Sequence, residues 1–124
     1  MARILCIDDS KFSRSRVTTP LKAAGHEILE AADGVEGFEQ FETCSPDLIV
    51  SDLLMPNRDG IEQLRMIRAT GSKVPVIIAS ADIQESTRQT CEELGIQGFL
   101  QKPFKPEVLL ELVSAALQDS EVSV

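Results

Sequence analysis

Cysteine, positive charge and long apolar runs are all scarce in this chain of 124 residues. Its three cysteines, Cys6, Cys44 and Cys91, are an odd number without Cys-x-x-Cys spacing, which argues against a disulfide framework and for ordinary reduced thiols, two of them in the core. Nowhere do about 18 apolar residues follow one another, the length a membrane-spanning helix needs. The apolar stretch behind the N-terminus is a short strand-like run, far too short for the core of a signal peptide. A cytoplasmic protein with no membrane role is the expectation. Lys and Arg number 12 against 20 Asp and Glu, a net charge of −8 that opposes any direct grip on nucleic acid or an anionic membrane. Repeats, a Walker loop and a Gly-x-Ser-x-Gly elbow are missing as well.

What the chain does have is alternation. Runs rich in apolar and β-branched residues recur at Arg3–Ile7, Glu27–Ala31, Leu48–Ser51, Val76–Ala79 and Gly98–Leu100, and each is followed by a stretch with helical spacing. Strand alternating with helix predicts an α/β domain with a parallel sheet covered on both faces. The length fits one domain, expected over residues 1–118, with a polar tail or linker stump over 119–124. Asp33 is placed to cap a helix carrying Val35, Phe38 and Phe41, and Asp59 with Glu62 has capping-box spacing ahead of Ile61, Leu64 and Ile67. Pro106 suits the first turn of a last helix, while Gly25, Gly71 and Gly95 stand where three others should stop. The first helix, roughly residues 11–24, contains Pro20, which predicts a kink. The fourth, roughly 83–94, has a thin apolar face of Ile83, Thr87, Cys91 and Leu94, which predicts low local stability.

Asp8 and Asp9 stand directly behind the first run, Asp52 behind the third, Ser80 behind the fourth and Lys102 behind the fifth. In a parallel sheet all five converge at the C-terminal edge, where open α/β sheets place their ligands. A single Asp at a strand end is usually a turn or cap residue. Three together repel one another unless a cation compensates, and an oxygen-only set suits Mg²⁺ better than zinc. With Lys102 as a point charge for an anionic group and Ser80 as a hydroxyl for the same group, the set matches the needs of in-line phosphoryl transfer. Asp52 is then the candidate nucleophile.

These motifs, Ile7-Asp8-Asp9-Ser10, Ser51-Asp52-Leu53-Leu54-Met55-Pro56 with Asp59-Gly60, Val76-Ile77-Ile78-Ala79-Ser80-Ala81 and Lys102-Pro103-Phe104, cover nearly the whole chain in order. The chain resembles the receiver domain of bacterial two-component response regulators, in particular the single-domain chemotaxis type. The resemblance implies a flavodoxin-like doubly wound sheet of order 2-1-3-4-5 with five helices. It implies that Asp52 accepts a phosphoryl group from a phosphohistidine on a sensor histidine kinase or histidine phosphotransfer protein. Mg²⁺ would be held by Asp9, Asp52 and the backbone carbonyl of Leu54, with Asp8 acting mainly through water. Lys102, before an expected cis Pro103, would pair with the phosphoryl oxygens. Ser80 and Phe99 would form the switch, and the fourth helix, fifth strand and fifth helix the face that meets an unknown output protein. Leu54 and Asp82 occupy the positions that tune phosphate lifetime, and Phe12 with Arg14 the surface on which kinases dock.

The resemblance also implies a protein that is no enzyme beyond its own phosphorylation and dephosphorylation. A phosphorelay intermediate is the first alternative. An aspartyl-phosphate phosphatase is the second, and it is disfavoured because its first strand would end in Asp-x-Asp where this chain has Asp8-Asp9-Ser10. A degenerate receiver acting only by binding is disfavoured by the intact Asp52, Ser80 and Lys102.

Overall fold

A computed structural model describes residues 2–55, 57, 59–81 and 84–122. Strands β1 (Arg3–Ile7), β2 (Glu27–Ala31), β3 (Leu48–Ser51), β4 (Val76–Ser80) and β5 (Gly98–Gln101) alternate with helices α1 (Lys11–Ala23), α2 (Gly34–Cys44), α3 (Gly60–Ala69), α4 (Glu85–Leu94) and α5 (Pro106–Val122). The strands pair in parallel as one sheet of order β2-β1-β3-β4-β5, as expected.

Side chains on neighbouring strand residues point to opposite faces, and both faces are apolar. Ile4 and Cys6 of β1 join Leu48, Val50, Ile77 and Ala79 beneath α1 and α5, where Val17, Leu21, Leu109 and Val113 close the layer. Leu5 and Ile7 join Ile49, Val76 and Ile78 on the other face, closed by Leu64 and Ile67 of α3 and Cys91 of α4. Cys6 and Cys91 are buried free thiols, as the reading of the cysteines required; Cys44 is half-buried.

The caps form where the residue types predicted them. Asp33 accepts from the Glu36 N–H and Asp59 from the Glu62 N–H, each at 2.8 Å. Gly25, Gly71 and Gly95 follow α1, α3 and α4 with φ of +93°, +87° and +94°, a backbone region that glycine enters without a Cβ penalty. Gly60 has a different task. A Cβ there would collide with the Asp52 carbonyl oxygen and the Leu53 backbone, so glycine lets α3 start against the strand end that carries Asp52.

One boundary differs from expectation. The fourth helix begins at Glu85, and residues 82 and 83 lie outside the described set. The last helix runs to Val122. The apolar periodicity is lost from Gln118, yet no Gly or Pro follows before Val122, so this loss is no stop signal. Pro20 cannot donate to the Arg16 carbonyl, but α1 runs on to Ala23, where the Ala24 N–H bonds the Pro20 carbonyl at 3.1 Å. Between α2 and α3, Gln63 is buried to 1% exposure and its amide has no hydrogen-bond partner among the described residues.

Candidate functional site

Ladder bonds extend past the strands and level the reactive residues. The Asp8 N–H bonds the Ala31 carbonyl at 3.1 Å, the Asp52 N–H the Ile7 carbonyl at 3.0 Å and the Lys102 N–H the Ser80 carbonyl at 2.9 Å. Asp8, Asp9, Asp52, Ser80 and Lys102 thus reach one edge, as the strand pattern predicted. Asp8 is buried, Asp52 half-buried and Asp9 exposed, with one carboxylate oxygen of each within 4.8 Å of the others. An all-oxygen set graded from buried to open suits a hard divalent cation that keeps part of its water shell.

Lys102 supplies charge compensation within the chain. Its Nζ donates to Asp8 Oδ2 at 2.8 Å and to Asp52 Oδ2 at 3.0 Å. Burial pulls its pKa down, but hydrogen bonds to Asp8 and Asp52 and their negative charges more than offset this, leaving it above the ordinary lysine value. Asp52 Oδ1 meanwhile accepts from the Leu53 N–H at 2.6 Å and the Leu54 N–H at 3.4 Å. The two oxygens of the candidate nucleophile therefore differ: one faces backbone amides and the other an ammonium. Lys102-Pro103 is cis, as expected.

Ser80 ends β4 fully buried, and Phe99 is half-buried on β5. The Arg88 guanidinium of α4 lies 5.5 Å from the centre of the Phe99 ring and pairs with Glu92 at 3.3 Å. The Leu54 side chain is 65% exposed beside Asp52. Asp82, the other position expected to tune phosphate lifetime, lies outside the described residues.

The docking pair separates. Phe12 is 74% exposed, with the Arg16 guanidinium 6.0 Å from its ring. Arg14 is no free surface cation: it donates to Glu30 Oε1 and to the Asp8 carbonyl, both at 2.7 Å. Its stem turns inward because Glu30 on β2 and the end of β1 flank the first turn of α1. The sequence also concealed Ser13, whose Oγ accepts from Lys102 Nζ at 2.7 Å. Its only sequence signal is its place in the first turn after the Ser10 cap, and the lysine it meets is 89 residues away.

The five-stranded doubly wound sheet thus carries an acidic cluster and a lysine at its C-terminal edge. The family comparison agrees: the response regulator receiver domain matches residues 4–114, and the chain belongs to that family. It is 35% identical over 116 residues to response regulator MprA of Mycobacterium leprae, covering 94% of this chain and 51% of that protein. It thus spans about half the length of that relative. To Protein CcdB of Bacillus subtilis it is 36% identical over 118 residues, covering 94% of this chain and 98% of CcdB. The fold superposes on the Vibrio cholerae chemotaxis response regulator CheY4 with a TM-score of 0.85 at 32% identity, covering 94% of this chain and 98% of that one. The family is generally a signalling domain of two-component systems rather than an enzyme, standing between an upstream kinase and a downstream output.

Proposed function

We propose that Asp52 accepts a phosphoryl group from a phosphohistidine on a sensor histidine kinase or phosphotransfer protein, and that the α4-β5-α5 face passes the resulting state to an output protein. The observation that carries this reading is the Lys102 ammonium held between Asp8 and Asp52 beside an exposed Asp9. Asp8, Asp9 and Asp52, with the Leu54 carbonyl, would hold Mg²⁺, which when bound neutralises charge on the transferring phosphoryl oxygens.

The rest of the chemistry belongs to the chain. An Asp52 carboxylate oxygen bonds to phosphorus as the phosphorus–nitrogen bond breaks. The electron pair of that bond remains on the donor imidazole, which leaves neutral when its other nitrogen carries a proton. Lys102 moves from the carboxylate to the phosphoryl oxygens, exchanging one charge-assisted contact for another. The phosphoryl group carries about −1.5 to −2 charge in place of the carboxylate's single one, close to where Ser80 ends β4, and Phe99 on the neighbouring strand reports the change through its packing. Phe carries no hydroxyl, so its rotamers differ in packing without leaving a polar group unsatisfied.

Incubation with a small acyl phosphate and Mg²⁺ should add one phosphoryl group by mass spectrometry, and Asp52→Asn should remove that signal. Equal labelling of both proteins would overturn the assignment.

A further inference from the structure

An ammonium has three N–H bonds, and all three on Lys102 have oxygen acceptors: Asp8 Oδ2, Asp52 Oδ2 and Ser13 Oγ. The phosphoryl-transfer chemistry assigns the two carboxylates other work. Both face the cation site, and Asp52 becomes an acyl phosphate. Ser13 has no such second duty. We propose that Ser13 is a positioning residue for phosphoryl transfer, its hydroxyl holding the Lys102 ammonium in place while the carboxylates engage cation and phosphoryl group. The proposal rests on Asp52 being the acceptor.

Ser13 is presented by a fixed piece of backbone. Its N–H is bonded by the Ser10 side chain at 3.2 Å. The adjacent Arg14 ties the same turn to the Asp8 carbonyl and to Glu30. A serine hydroxyl on such a turn loses little freedom when it accepts a bond, whereas the lysine stem has much to lose. Space for that loss is at hand. Lys102 borders an open groove of about 300 Å³ lined also by Phe12, Ser13, Arg16, Ala81 and Phe104. Without the hydroxyl, an ammonium released by the carboxylates has this groove to swing into. The contact is also of suitable strength: a neutral oxygen holds an ammonium less firmly than a carboxylate, so it tethers Lys102 without competing with the phosphoryl oxygens.

The test compares wild type, Ser13→Ala and Ser13→Thr as full chains, using a small acyl phosphate with saturating Mg²⁺, and beryllofluoride as a stable phosphoryl mimic. Ser13→Ala should phosphorylate roughly tenfold more slowly, the loss of about one hydrogen bond to a charged group. It should bind beryllofluoride more weakly by a similar factor, with Mg²⁺ affinity by calorimetry unchanged, and Ser13→Thr should restore both. A wild-type rate in Ser13→Ala overturns the proposal. So does equal slowing in Ser13→Ala and Ser13→Thr at unchanged melting temperature. If Ser13→Ala fails to fold, folded Ser13→Gly, which also lacks the hydroxyl, decides: a slowed rate rescued in Ser13→Thr supports the role and a wild-type rate refutes it. Wild type labelled no better than Asp52→Asn would instead remove the underlying reading.

Discussion

Helices α3 and α4 are each 10 residues long and cover the same face of the sheet, yet α3 buries Gly60, Gln63, Leu64 and Ile67 while α4 buries only Cys91 among the described residues. The difference follows from composition. Glu85-Ser-Thr-Arg-Gln-Thr-Cys-Glu-Glu-Leu offers few apolar positions, whereas Gly60-Ile-Glu-Gln-Leu-Arg-Met-Ile repeats them at helical spacing. A helix that buries little is held weakly, and local opening draws on such segments. The same fold therefore pairs a fastened element behind Asp52 with a loosely held one beside Phe99.

The contrast can be broken by substitution. Ile67→Ala should lower unfolding free energy in urea by about 2–5 kcal/mol, against about 1 kcal/mol for Cys91→Ala. Equal losses would erase the distinction between the two helices. Gly60→Ala comes next, at about 1–3 kcal/mol, because the added methyl group must displace the Asp52–Leu53 backbone. Its specific sign is a diminished rise in melting temperature on adding millimolar Mg²⁺, since Asp52 moves with that backbone.

Smaller effects sharpen the comparison. Arg88→Ala removes a cation from the Phe99 ring and should cost only about 0.5–1 kcal/mol. Hydrogen exchange should quicken in α4 and β5 while α1 stays protected; uniform quickening would contradict a local tie. The smallest change concerns alkali. The Lys102 pKa is raised on folding, so its contribution is complete below the ordinary lysine value of 10.5 and is lost as pH rises through the higher folded value. Between pH 8 and 9.5 the Lys102 pairs should leave the melting temperature unmoved, and Lys102→Met, which lowers it at every pH by unpairing Asp8 and Asp52, should abolish the further loss seen above that range.

Much of this was legible in the residues. Strand order aside, which came from family resemblance, the strands, the Asp33 and Asp59 caps and the three helix-ending glycines each depend on neighbours within a few positions, and local chemistry decided them. The carboxylates and Lys102 were legible because each directly follows an apolar run. Ser13 and Arg14 were not, since their contacts depend on how α1 rotates over the ends of β1 and β5, a tertiary quantity with no local signature. Gly60 stood only as part of a motif, and its need to lie against Asp52 is visible only once α3 is docked.

The place of β5 in the sheet has a mechanical consequence. Asp8 and Asp52 follow β1 and β3, interior strands bonded on both flanks, whereas β5 pairs with β4 alone. Displacing an interior strand breaks two ladders; displacing β5 breaks one. Lys102 and Phe99, the residues proposed to move, ride on this compliant margin, while the carboxylates proposed to hold the cation and take the phosphoryl group are clamped in the stiff middle.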